Sequence, residues 1–192
     1  MGCGTGGLSA AQADRYSLEG VDPSAAAAEA ARARGLHVHL LGLGDELPGG
    51  FDAAGAFDVL EHVPDDIGLA RRLAAAVRPG GLVAVTVPAF ERLWGAMDET
   101  AGHVRRYRLG PLARVMEAPG LRRLHATYFN TLLFPAFALA RLAGFPREGR
   151  ELEPPGPLVN RVLRNVFELE APLASRLRLP VGGSILYVGR KR

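Results

Sequence analysis

Glycines at positions 2, 4 and 6 of Met1-Gly-Cys-Gly-Thr-Gly-Gly7 constrain the fold more than any other stretch of the chain. Glycine is needed where the backbone takes φ > 0, or where another group comes too close for a Cβ. A turn of this kind that feeds a helix leaves backbone N–H groups pointing outward, ready for an anion or a sugar edge. Downstream, segments alternate between the two periodicities. Leu8–Arg15 suits a short helix, and Tyr16–Val21 a strand that ends in Asp22-Pro23. Ser24 is placed to cap the alanine-rich helix 25–34, and Gly35 to stop it. Leu36–Leu41 alternates as a strand, Phe51–Leu60 is the next apolar strand, and Asp65-Asp66 opens a helix through Val77 with acids at its positive end. Arg78-Pro-Gly-Gly81 reads as a tight turn. Leu82–Val87 is a continuous apolar run suited to a strand buried on both faces.

Strands and helices that alternate in this way predict an α/β fold with a mostly parallel sheet. In such sheets ligands sit beyond the carboxyl ends of the strands. The glycine turn, Asp22, the Gly42–Glu46 turn and Asp58–His62 would then share one rim. Further on, Leu109–Ala118 reads as a helix and Leu121–Tyr128 as a strand. Thr131–Phe145 is an apolar run too short to span a bilayer, expected as a buried helix or as an interfacial one beside an apolar substrate. Gly144–Pro157 reads as a loop. Leu158–Leu177 has apolar residues at a helical period, and Gly183–Val188 makes the last strand.

Composition narrows the class. The 192 residues are 48% hydrophobic and 22% charged, as expected of one globular domain. Its 2–90 half would serve ligand binding, and 91–192 would supply substrate-side insertions and closing strands. One cysteine, Cys3, excludes an intrachain disulfide and suits a reducing, cytoplasmic setting, and no leader pattern is visible. Residues 1–100 carry 7 Arg against 14 acids, and residues 101–192 carry 16 Lys and Arg against 6 acids. The basic half therefore suggests an anionic partner, either a small substrate or a membrane surface. Arg190-Lys-Arg192 is too short for a nucleic-acid tail, so no nucleic acid is expected.

Taken together, Gly2-Cys-Gly-Thr-Gly6, Val21-Asp22, Leu47-Pro48, Phe51-Asp52, Asp58-Val-Leu-Glu-His62 and Arg78-Pro-Gly-Gly81 resemble the class I S-adenosylmethionine-dependent methyltransferases. The likeness extends over about residues 2–130, to a bacterial subgroup that includes ubiquinone-biosynthesis O-methyltransferases. It implies a Rossmann-like, doubly wound sheet with an antiparallel last strand. S-adenosylmethionine would lie against Gly2, Cys3, Gly4 and Gly6. Asp22 would accept from the ribose hydroxyls, Asp45 or Glu46 would face adenine, and Phe57 would lie against the cofactor.

The same resemblance implies a divalent metal, Mg²⁺, at Asp58, Glu61 and His62. The residues themselves leave two alternatives: Glu61 or His62 as catalytic base, or a pair that only shapes the loop. His103, Arg105, Arg106 and Tyr107 make a candidate substrate-binding cluster, arginine being suited to bidentate contact with phosphate or carboxylate. The expected reaction is methyl transfer to a small-molecule or lipid-linked acceptor, with some preference for oxygen and with peripheral membrane contact as an option. The competing readings are a nicotinamide-dependent oxidoreductase and a non-catalytic or damaged methyltransferase-like protein.

The family also implies a central strand ahead of the glycine turn. Met1 stands where that strand ends in valine, so a misassigned GTG codon inside a longer protein is expected rather than a true start.

Overall fold

The computed structural model describes residues 1–42, 44–143 and 156–192. Its elements follow the sequence order closely. Helix α1 (Gly7–Ala10) leads to strand β1 (Glu19–Asp22), helix α2 (Ala25–Arg32), strand β2 (His37–Leu40) and strand β3 (Phe51–Phe57). Helix α3 (Asp66–Ala76), the long strand β4 (Val77–Pro88), and helices α4 (Ala96–Ala101) and α5 (Leu109–Glu117) come next. Strand β5 (Arg122–Phe129), helices α6 (Phe134–Leu142) and α7 (Pro157–Arg176), and strand β6 (Ser184–Arg190) complete the chain. The expected loop at 144–157 lies almost wholly outside the described residues.

Strands β3, β4, β6 and β5 form one sheet in that order. β3 is parallel to β4, while β6 runs antiparallel to both β4 and β5. The antiparallel closing strand is therefore present. β1 and β2 pair in parallel as a separate two-stranded sheet. Between the two sheets runs the start of the glycine turn. The Cys3 N–H donates to the Val21 carbonyl at 3.1 Å, and the Met1 amine donates to the Gly55 carbonyl at 2.6 Å.

The main core lies on β4, whose Val83, Val85 and Val87 are fully buried. They pack with α3 through Leu69 and Leu73, and with α5 through Leu112 and Met116. A smaller core joins α2 to β2 through Ala28, Ala31, Leu36 and Val38. Caps match the sequence. The Ser24 hydroxyl accepts from the Ala27 N–H at 3.3 Å, and Asp65 accepts from the Gly68 N–H at 2.8 Å.

Three expectations change. Helix 8–15 shrinks to α1 at 7–10, which buries no residue. A short helix with no apolar face to bury gains nothing from packing and gives way to turns. The first strand begins at Glu19, not Tyr16, because its partner β2 begins opposite it at His37. The Arg78–Gly81 turn lies inside β4 as a bulge: pairing with β3 skips from Phe51↔Val77 to Ala53↔Leu82.

Candidate functional site

The glycine turn has the predicted backbone. Gly2, Gly4 and Gly6 have φ of 67°, 52° and 77°. A Cβ at Gly2 would strike Val59, and one at Gly6 would strike Leu36, whereas one at Gly4 would meet nothing within 4 Å. Gly4 thus turns its open side outward, as a loop that receives a ligand against its backbone must. Asp22, buried at the end of β1, holds this turn in place. One carboxylate oxygen accepts from the Gly4 N–H at 2.8 Å and the other from the Ser24 N–H at 3.0 Å. Each oxygen keeps a second lone pair for a ligand hydroxyl. Cys3 packs against β1, where a Cβ on Gly20 would collide with its sulfur. Asp45 is exposed and accepts from the Gly42 N–H at 2.7 Å, and Glu46 is exposed beside it. Phe57 is 45% exposed rather than core.

At the end of β3 the backbone turns sharply. Asp58 has φ 53°, and Leu60–His62 form a single 3-10 turn. This geometry sends Glu61 inward, where it is fully buried with neither carboxylate oxygen hydrogen-bonded. Burial, with the Asp58 charge adding to it, pushes the Glu61 carboxyl up to about 8. Burial also raises Asp58, against an opposing hydrogen bond from Thr86, and lowers His62, which the neighbouring His103 lowers further.

His103 reaches the same place from the loop after α4. Its ring meets that of His62 edge-on, with centroids 4.6 Å apart. The Val104 N–H donates to the Glu61 carbonyl at 2.7 Å and locks the loop to the turn. His103 Nδ1 lies 2.8 Å from Asp98 Oδ1. Asp98 is buried and also accepts from Arg106 Nε at 2.8 Å, Arg106 Nη2 at 2.9 Å and the Gly95 N–H at 2.9 Å. Burial opposes its ionisation, but the hydrogen bonds from Arg106, His103 and Gly95 outweigh burial and hold the carboxyl below its usual range. An ionised Asp98 accepts a hydrogen bond from His103 Nδ1–H, and in that tautomer of the neutral ring Nε2 is an acceptor.

These groups open onto a cavity of about 720 Å³. Asp58, Glu61, Asp98, His103 and Arg106 form its polar end, and Leu133, Phe137, Leu163 and Phe167 from α6, α7 and the turn before α6 form apolar wall. His62 stands behind His103 and is not part of the lining. The proposed substrate cluster therefore divides. His103 and Arg106 face the cavity. Arg105 instead donates to Asp66 Oδ2 at 2.8 Å and to the Pro64 carbonyl at 2.7 Å, and the buried Tyr107 hydroxyl donates to Asp66 at 2.8 Å. Both tie the loop to α3. Asp98 was given no role by sequence reasoning. The available signal was its spacing, five residues before one candidate and eight before another, around the Gly102 turn.

The metal reading changes too. The donor atoms that lie within 4.8 Å of one another belong to Glu61, His62 and His103, and Asp58 is not among them. Two imidazoles with one carboxylate that holds its proton up to about pH 8 do not suit Mg²⁺, which prefers ionised oxygen ligands and near-octahedral geometry. Mg²⁺ does not fit this residue set.

The Methyltransferase domain family matches residues 1–126, and the chain belongs to that family. An Idiomarina loihiensis ubiquinone biosynthesis O-methyltransferase is 33% identical over 93 residues, 43% of this chain and 38% of its own. A Deinococcus radiodurans trans-aconitate 2-methyltransferase is 40% identical over 94 residues, 46% of this chain and 36% of its own. The matches thus span little more than a third of these curated relatives. Streptomyces coelicolor geranyl diphosphate C-methyltransferase, solved with Mg²⁺, geranyl diphosphate and S-adenosyl-L-homocysteine, shares the fold with TM-score 0.67 at 14% identity. That likeness covers 100% of this chain and 70% of the other.

Proposed function

We propose that the protein transfers the methyl group of S-adenosylmethionine to a hydroxyl on an apolar or lipid-linked acceptor held in the 720 Å³ cavity. The observation that carries this reading is the Asp98–His103 pair at the polar end of a cavity whose remaining lining is mainly apolar, with Asn130, Arg141 and Ser184 also on its wall. The O-methyltransferases among the similar proteins support oxygen as the acceptor atom.

The open side of Gly4 and the spare lone pairs of Asp22 fit S-adenosylmethionine, which would lie along the Gly2–Gly6 turn with its ribose toward Asp22. When bound it supplies a sulfonium methyl already activated for transfer. The chain then has to align the acceptor and remove one proton. Holding the two partners in line can contribute about 7–11 kcal/mol in favourable cases. His103 Nε2 would accept the proton that the acceptor hydroxyl gives up. Asp98 fixes the required tautomer and stabilises the imidazolium that results.

His103→Gln tests this. Turnover of a hydroxyl acceptor should fall about 10²–10⁴-fold, with S-adenosylmethionine affinity by calorimetry unchanged. An acceptor methylated at the full rate by this variant would remove His103 as the base and with it the hydroxyl preference.

The outer face of α7 favours an acceptor in a membrane. Leu158, Val162, Leu169 and Leu173 are 45–74% exposed. Their spacing of 4, 7 and 4 puts them on one stripe, distinct from the face that carries buried Glu170 and Ala174. Exposed Arg161, Arg164 and Arg176 lie on the same helix, Arg164 being paired with the exposed Glu168 at 3.9 Å. This pattern suits a helix lying in the plane of an anionic lipid surface. No helix among the described residues is long and apolar enough to cross a membrane.

A further inference from the structure

The two-stranded sheet carries a second cluster of donors, remote from the cavity chemistry. His37 and His39 are two residues apart on β2, so their side chains leave the same face. Glu19, on the neighbouring strand, pairs in register with His37 and projects from that face as well. Its Oε2 lies 2.6 Å from His39 Nε2 and 3.5 Å from His37 Nδ1, and the two rings meet edge-on with centroids 4.6 Å apart. All three donor atoms fall within 4.8 Å of one another.

From this geometry we propose that Glu19, His37 and His39 bind a divalent transition ion of Zn²⁺ type. In a tetrahedral site with bonds of about 2.0–2.1 Å, neighbouring ligand atoms are about 3.3 Å apart. The His37–Glu19 separation of 3.5 Å is already close to this. The His39–Glu19 contact of 2.6 Å is a hydrogen bond that has to open by under 1 Å as the metal replaces the shared proton. Two imidazoles and one carboxylate select borderline ions such as Zn²⁺ over Mg²⁺ or Ca²⁺. Fixed strand register supplies the preorganisation, and Glu19 and His39 also line a second, smaller cavity of about 340 Å³ beside Gly2 and Cys3, separate from the 720 Å³ one.

The consequence is mechanical. A two-stranded sheet alone is marginally stable, and this one ends in Asp22, which orders the glycine turn. An ion that bridges Glu19 to His37 and His39 would clamp β1 to β2 three residues from Asp22.

Chelator-treated protein should take up Zn²⁺ in calorimetry, and its melting midpoint should rise with the metal, as binding to the native state alone requires. His39→Gln and the more exposed His37→Gln should each weaken this binding by at least about 10–100-fold, the loss that removal of even an outer-shell partner causes, with unchanged circular dichroism. His103→Gln should leave it intact. Two equivalents in the parent, one lost with each of the His39 and His103 variants, would still support the site. No uptake at micromolar Zn²⁺, or a single equivalent lost with His103→Gln and retained in His39→Gln, would overturn it.

Discussion

Glu61 is the residue whose surroundings deviate most from what its chemistry prefers. It is a carboxyl without exposure and without a hydrogen bond to either oxygen. Its native pKa of about 8 lies above the ordinary 4.5, so between these values the native state holds a proton that the unfolded chain releases. Stability must therefore fall as pH rises through that window, level off above about 8, and be unaffected by Glu61 below about 4.5. Chemical denaturation of Glu61→Gln against the parent should show this. The parent should be less stable by on the order of a few kcal/mol at pH 8, with the pH-dependent part of the difference gone near pH 4. A constant difference across the range would mean that burial does not raise the Glu61 carboxyl in the native state. Asp98 is the opposite case, ionised and fully partnered. Asp98→Asn takes the counter-charge from Arg106, which is itself 6% exposed, and should cost about 3–5 kcal/mol. Asn with Arg106→Met should recover a good part of that loss in a denaturant series.

At the scale of elements, the helix starts and the glycine turn were legible because each is decided by a few neighbouring residues. Ser24 and Asp65 cap the helices expected of them, and the three glycines take the left-handed backbone that only they adopt cheaply. The alternation of strands and helices also placed Asp22 and Asp58 at the ends of β1 and β3. The polar end of the cavity was not, because it depends on α4 and the Gly102 turn folding back to bring Asp98, His103 and Arg106 beside Glu61. Nothing in local spacing says that Arg105 will turn to α3 while Arg106 turns to Asp98. The division of β1–β2 from the larger sheet falls where the family's central strand was expected, so that feature was legible too. Asp22 now has a sharper prediction than a ribose contact alone. It anchors Gly4 and Ser24 together, so Asp22→Ala should loosen the turn and weaken S-adenosylmethionine binding by about 1.5–3 kcal/mol, the range for hydrogen bonds to a charged group. Calorimetry that shows undiminished affinity in a folded variant would reduce Asp22 to a structural brace.

For the molecule as a whole, chemistry and apolar surface are arranged end to end. The acid–histidine groups lie at the carboxyl ends of the strands. α6 and α7 supply apolar wall to the cavity, and α7 turns a second apolar stripe to the outside. A helix that needed only to cover the cavity would be polar on its far side. The surplus of basic residues in the second half of the chain would draw this face toward anionic lipid, each such residue near the surface contributing about 1 kcal/mol. The protein should therefore co-sediment with vesicles that contain phosphatidylglycerol, less so with purely zwitterionic ones, and release as salt is raised. Leu169→Glu and Leu158→Glu alter exposed positions, so each should change folding stability by no more than about 0.5 kcal/mol while sharply reducing vesicle binding. Turnover of a water-soluble hydroxyl acceptor should be retained in both variants, whereas turnover of a vesicle-embedded one should fall. Equal loss with both acceptors would place the stripe in the cavity's own architecture. A shift from dimer to monomer in the variants, without any vesicle binding by the parent, would mean that the stripe is covered by a second copy of the chain.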